Sequence, residues 1–157
     1  MSNVAQVSTT IQAGVETIWR ALTIPETIKQ YFFGSDVESD FRRGSSIVFR
    51  GEHQGKTYED KGEILEVEPE RRLVFSHWSP LSGMPDKPEN YHVVAYDLSP
   101  LGNSTKVTLT QSNMSGEVTK ADLEQKEQFE KNWSIVLEGL KKTVEAEKGA
   151  LETGAGL

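Results

Sequence analysis

Thr105–Asn113, TKVTLTQSN, leads into Phe129–Glu145, FEKNWSIVLEGLKKTVE, and the two segments together point to the fold class. The first segment is strand-like. In the second, Phe129, Trp133, Val136, Leu137, Leu140 and Val144 recur at three- and four-residue steps, which places them on one stripe of an α-helix. A long amphipathic helix needs an apolar surface to cover. Leu73, Val74, Phe75, Val93, Val94, Tyr96, Leu98, Val107 and Leu109 supply one, in short β-branched or aromatic runs separated by turn-rich loops. One helix lying across one antiparallel sheet is the expected architecture.

Working outward, Val4–Gln12 alternates as a first strand, and Gly14 breaks it. Val15–Leu22 is a short helix stopped before Pro25, and a second short helix runs from Pro25 to Tyr31, since proline suits a first helical turn. Its end presents Tyr31, Phe32 and Phe33 together. Strands are expected at Ser35–Ser39 and Ser46–Arg50, then a clear hairpin of Lys56–Glu68 and Arg71–Trp78 about Pro69-Glu70. Gly62, inside a strand, marks a bulge or a close backbone approach. Ser79–Asn90 is the longest loop, and Tyr91–Leu98 with Lys106–Ser112 forms the final hairpin. Thr119-Lys120-Ala121-Asp122 approximates a capping box that starts the long helix, expected to end near Glu147. The order shows no strand–helix alternation and no repeat, so the chain is α+β rather than a doubly wound parallel sheet. A single domain over residues 4–147 is expected, with the glycine-rich residues 148–157 a disordered tail.

Composition removes several function classes. No cysteine is present, so disulfides, thiolate metal sites and a cysteine nucleophile are absent. Seventeen Lys and Arg against 24 Asp and Glu give a formal charge of −7, which opposes a phosphate backbone, and no basic stripe overrides it; no nucleic-acid partner is expected. The Arg42-Arg43 and Arg71-Arg72 pairs sit beside turns as solvated strand ends. No segment approaches the roughly 18 apolar residues of a membrane span, and the amino-terminal residues lack a secretory pattern, so a cytoplasmic location without membrane insertion is expected.

The order and wording of these segments resemble the START-like helix-grip superfamily (SRPBCC), and within it the family related to activators of the heat-shock protein 90 ATPase. The resemblance covers Val7 to Glu145. In IQAGVETIWRALTIPETIKQYF, Ala13, Val15, Trp19, Ala21, Leu22, Pro25, Glu26, Tyr31 and Phe32 match the family's opening. Phe41, Arg42 and Gly44 match the next turn, with Ser45 in place of a second glycine. GEILEVEPERRLVFSHW matches the central hairpin and NWSIVLEGLK the closing helix, with Asn132 in place of a glycine. The resemblance implies a curved antiparallel sheet of six or seven strands wrapped around the C-terminal helix, two short helices after the first strand, and an apolar cavity between sheet and helix. Members of the wider superfamily bind lipids, steroids, polyketides or other apolar molecules there, and some are cyclases or hydroxylase components.

The matched positions are core and turn residues, so function has to be sought in the polar ones. His53, His77 and His92 have no partner at metal-ligand spacing, no serine lies in a nucleophile-elbow context, and neither a phosphate loop nor a dinucleotide fingerprint occurs. No metal, cofactor or catalytic residue is assigned. His77 is in phase with Leu73 and Phe75, and His92 with Val94, Tyr96 and Leu98, which makes both polar handles in an apolar interior. Glu16, Glu59, Asp60, Glu63 and Glu66 are taken as solvated strand faces.

The expected function is a non-catalytic small-molecule binding module. A hydrophobic ligand would lie among Phe75, His77, His92, Val94, Tyr96, Leu109 and Gln111 from the strands and Phe129 and Trp133 from the helix. Tyr31, Phe32 and Met84 would lie near the entrance. Two alternatives stand beside it. One is a protein-interaction module regulating a chaperone ATPase, although the eukaryotic activators carry an N-terminal domain absent from these residues. The other is a cyclase or hydrolase-like enzyme using Glu63 or Glu66 with His77.

Overall fold

The structure, a computed structural model, describes the backbone of residues 3–153 and the side chains of residues 3–147. Seven strands form one antiparallel sheet: β1 (Asn3–Ile11), β2 (Asp36–Ser39), β3 (Ser46–His53), β4 (Lys56–Glu68), β5 (Arg72–His77), β6 (His92–Leu101) and β7 (Ser104–Asn113). Their order across the sheet is β1-β7-β6-β5-β4-β3-β2. Helices α1 (Val15–Thr23) and α2 (Pro25–Tyr31) follow the first strand, and α3 (Lys120–Thr153) closes the chain. The α+β helix-grip expectation therefore holds in element order and sheet type. Between β5 and β6 the expected loop contains two short 3-10 turns, Pro80–Ser82 and Pro88–Asn90.

Helix α3 starts where the capping box predicts. Asp122 N–H donates to Thr119 Oγ1 at 3.0 Å, and Thr119 N–H donates to Asp122 Oδ2 at 2.8 Å, so two otherwise orphaned donors are satisfied reciprocally. The helix runs on through residues 148–153, past the expected end at Glu147; the last four residues of the expected tail lie outside the described residues.

Its inner stripe is graded. Val136, Leu137, Leu140 and Val144 are completely buried against the sheet, each worth on the order of 1.5–3 kcal/mol. Trp133 and Phe129, one and two turns earlier, are only half-buried, because a cavity separates the helix from the sheet there. Gly139 lets α2 approach α3: a Cβ at this position would lie 2.9 Å from Tyr31 Cβ.

Helix α3 also guards the free edge of β1. Glu130 accepts from Gln6 N–H at 3.0 Å, Glu145 accepts from Gln12 N–H at 2.8 Å, and Lys141 Nζ donates to the Thr10 carbonyl at 2.6 Å. Outward-facing backbone groups that would template another strand are thus occupied by side chains. At the other edge β2 is four residues long, too short to offer much of a ladder.

The main core lies between the inner sheet face, α3 and the two short helices. A second, smaller cluster of Val74, Val93 and Ala95 with Leu65 covers the outer face, as the two-residue period of β5 and β6 requires. Arg72, at the start of β5 as expected and partly exposed, bridges Asp97 Oδ1 at 2.7 Å and Glu66 Oε2 at 3.1 Å.

Candidate functional site

Three adjacent strands present their inward side chains in registered rows. Leu73, Tyr96 and Leu109 form an apolar row; Phe75, Val94 and Gln111 form the next; His77, His92 and Asn113 form the last. Polarity therefore rises along the sheet toward one end. The neighbouring β4 adds Tyr58 and Asp60 at the same end, since Asp60 is paired with the buried Phe49 and Tyr58 with Gly51. Gly51 leaves room for the end of the Tyr58 ring, since a Cβ at its position would meet Tyr58 Cε1 at 2.9 Å and the ring would have to shift.

Between this end of the sheet and the first turns of α3 lies a cavity of about 210 Å³. One wall is aromatic: Phe129 and Trp133 from α3, Phe32 and Phe33 from the end of α2. The opposite wall is polar, with Tyr58, Asp60, His77, His92 and Gln111, and Ser35 and Asn132 complete the lining. Phe33 holds a backbone φ of 53° and is 56% exposed, so a large apolar ring is kept in a left-handed conformation at the rim, at a cost of about 1–2 kcal/mol. A strained, exposed aromatic beside a cavity is an arrangement associated with ligand contact.

The polar groups are held by a connected set of hydrogen bonds. The Trp133 indole N–H donates to Gln111 Oε1 at 2.7 Å. Asn113 Nδ2 donates to the Glu117 carbonyl at 2.7 Å and to Asp122 Oδ2 at 2.8 Å, which leaves Asn113 Oδ1 as an acceptor 3.1 Å from His92 Nδ1. Burial lowers the pKa of His92, and His77 adds to that effect against the opposing pull of Asn113 and Asp122. The neutral ring consequently carries its proton on Nδ1 and keeps a lone pair on Nε2. Gln111 Nε2, at 3.3 Å from the same Nδ1, is then a donor facing a donor, and the shorter contact to Asn113 is the bond. Asp122 is pushed up by burial, but its bonds to Thr119 and Asn113 outweigh that and hold it below the ordinary carboxylate value. The helix cap and the His92 tautomer are thereby coupled through one carboxylate.

On β4, Asp60 Oδ2 lies 3.1 Å from His77 Nε2, the two side chains being 14% and 17% exposed. The other oxygen, Oδ1, is buried with no hydrogen-bond partner among the described residues. His77 also meets the edge of Phe49, with ring centroids 5.5 Å apart. No cluster of three or more metal-type side chains occurs among the described residues.

Residues 12–145 match the family model described as activator of Hsp90 ATPase homolog 1-like protein. The chain belongs to this family. Among solved structures, the protein ChR145 from Cytophaga hutchinsonii is 48% identical, covers 93% of this chain and 96% of its own, and superposes with a TM-score of 0.75. The Aha1 dimer from Colwellia psychrerythraea is 21% identical over 92% of this chain and 96% of its own, with a TM-score of 0.66. CalU16 from Micromonospora echinospora is 22% identical over 96% and 82%, with a TM-score of 0.65. The last two likenesses show the fold alone. No curated protein matches the chain.

Within this member of the Hsp90-activator-like family, the twelve residues singled out from sequence divide four ways. Phe32, His77, His92, Gln111, Phe129 and Trp133 are brought together around the cavity. Tyr31, Phe75 and Tyr96 lie deeper, around a void of about 20 Å³ that Phe32 also borders, and the Tyr31 hydroxyl donates to the Ala21 carbonyl at 2.8 Å. Val94 and Leu109 are wholly buried core. Met84 is 53% exposed on the β5–β6 loop, where its carbonyl accepts from Trp78 Nε1 at 3.2 Å, and it does not line the cavity.

Asp60 is the main correction: expected on a solvated face, it points inward and is the carboxylate partner of His77. Glu63 is exposed, and Glu66 is engaged by Arg72, so neither pairs with His77. The missed signal was parity. Tyr58, Asp60, Gly62 and Ile64 share one face of β4, and Ile64 is wholly buried. Ser35 and Asn132 carried no such signal, since a loop position and a helix flank acquire their neighbours only when α2, β4 and α3 converge.

Proposed function

We propose that this chain is a non-catalytic small-molecule binding module whose ligand occupies the cavity between the start of α3 and the polar end of the sheet. The observation that carries this reading is the wall asymmetry. Four aromatic rings face a cluster of oriented polar side chains across about 210 Å³, the composition expected of a pocket that buries an apolar body and orients it by a few polar contacts. That volume exceeds the roughly 150 Å³ of an engineered apolar cavity that takes up benzene, so one ring with substituents is the natural occupant. Ligand-observed NMR with a library of lipids and aromatic compounds tests it. Ring-sized compounds should show saturation transfer that is lost in Trp133→Ala, and a library with no hit would refute it. A chaperone partner, the alternative offered by the family description, is tested in parallel by pull-down and ATPase stimulation.

A further inference from the structure

Resting on that reading, we infer that the cavity selects uncharged, ring-sized molecules bearing a hydrogen-bond donor such as a hydroxyl, and rejects carboxylate ligands, including fatty-acid anions, of the same size. Three observations combine. First, among the described residues the lining contains no lysine or arginine, so no permanent cation faces an incoming anion. Second, its one carboxylate, Asp60, is mostly buried and is tied to His77 through Oδ2, while Oδ1 has no partner among the described residues. A second carboxylate entering the same low-dielectric space would be desolvated beside a like charge without compensation. Third, the Asp122–Asn113–His92 relay fixes His92 with its proton on Nδ1, so that Nε2 serves the cavity as an acceptor.

The acceptors sit on one wall. His77 and His92 are directly paired across β5 and β6, and Asp60 reaches His77 from β4. Asp60 lines the cavity with Oδ1 buried and without a partner among the described residues, so a donor brought into the cavity would give that oxygen its missing bond. A flat ring held between Phe129 or Trp133 and the sheet would thus direct a hydroxyl at His92 Nε2 or Asp60 Oδ1. Both groups accept, and a ligand without a donor would leave them desolvated and unpaired. This lack is what rejects an isosteric hydrocarbon.

The test is an NMR titration of the full chain with p-cresol, toluene and 4-methylbenzoate, following the Trp133 indole N–H, which is assigned by its loss in Trp133→Phe. We expect p-cresol to bind at least tenfold more tightly than toluene, or about 1.4 kcal/mol, and 4-methylbenzoate at least a hundredfold more weakly than p-cresol. His92→Phe should bring p-cresol to within threefold of toluene, and Asp60→Asn should raise the affinity for 4-methylbenzoate at least tenfold. Equal binding of toluene and p-cresol, or of the benzoate and p-cresol, by the unaltered chain overturns the selectivity while leaving the cavity as a binding site. Absence of binding by all three probes together with the failed library overturns both readings. The unaltered chain decides the matter even where a variant does not fold.

Discussion

Replacing Gly62 by alanine probes the tightest backbone approach at any described glycine, two residues along β4 from Asp60. A Cβ at this position would lie 2.5 Å from the Ser76 carbonyl carbon and closer still to its oxygen, where carbon atoms in contact stand about 3.5–4.0 Å apart. Strands β4 and β5 would have to separate by roughly 1 Å or more locally. Three hydrogen bonds cross that point: Lys61 N–H to the Trp78 carbonyl at 3.0 Å, Trp78 N–H to the Lys61 carbonyl at 2.8 Å, and Glu63 N–H to Ser76 Oγ at 2.9 Å. At about 1 kcal/mol net for each, losing all three costs about 3 kcal/mol, and any relief from alanine's lower unfolded-state entropy is below about 1 kcal/mol. The expected result in urea titration is a midpoint displaced by that amount with an unchanged slope. The same displacement should loosen the Asp60–His77 contact one strand position away and weaken ligand uptake. A loss below about 1 kcal/mol would refute the reasoning, because it would show that the two strands part freely at Gly62.

Two further predictions concern the cavity walls. Trp133→Phe keeps most of the ring but removes the indole N–H, leaving Gln111 Oε1, on a residue 2% exposed, without its 2.7 Å partner. A loss of about 1–3 kcal/mol in thermal or urea unfolding is expected, and a neutral outcome would mean that Gln111 finds another donor. For His92 the sign follows from its lowered pKa: the unfolded chain takes up the proton more readily than the folded one, so stability rises with pH through the window just below the ordinary value of 6.5 and levels off above it. The imidazole faces His77, Asn113 and, through Asn113, Asp122. Urea midpoints at pH 7.5, 6.5 and 5.5 should therefore fall more steeply for the unaltered chain than for His92→Phe, and parallel curves would contradict the assignment.

How much of this was legible beforehand differs by element. The capping box at Thr119–Asp122, the stripe on α3, Pro25 at the first turn of α2 and Gly62 as a close-approach residue are local signals, and each was found where the residues indicated. They depend on interactions within a few positions of the chain, which a pattern records directly. An aspartate among Glu59, Lys61 and Glu63 has the local pattern of a solvated strand, and only its parity with Ile64 marks Asp60 as inward-facing. Val94, Tyr96 and Leu109 were correctly placed on the inner face, yet inward does not distinguish core from cavity: that depends on how far α3 stands from each row of the sheet.

Element order and the inward face of each strand in the final hairpin are written into the chain locally, because periodicity, capping and turn residues act over short separations. That His77, His92, Gln111, Asp60, Phe32 and Trp133 enclose one space follows from the packing of the folded chain. The same packing lets the Asp122 cap reach through Asn113 to the His92 ring. Those residues come from β4, β5, β6, β7, α3 and the cap of α2, and their meeting follows from strand register and from the standoff between helix and sheet, quantities set by the packing of the whole core rather than by any one segment.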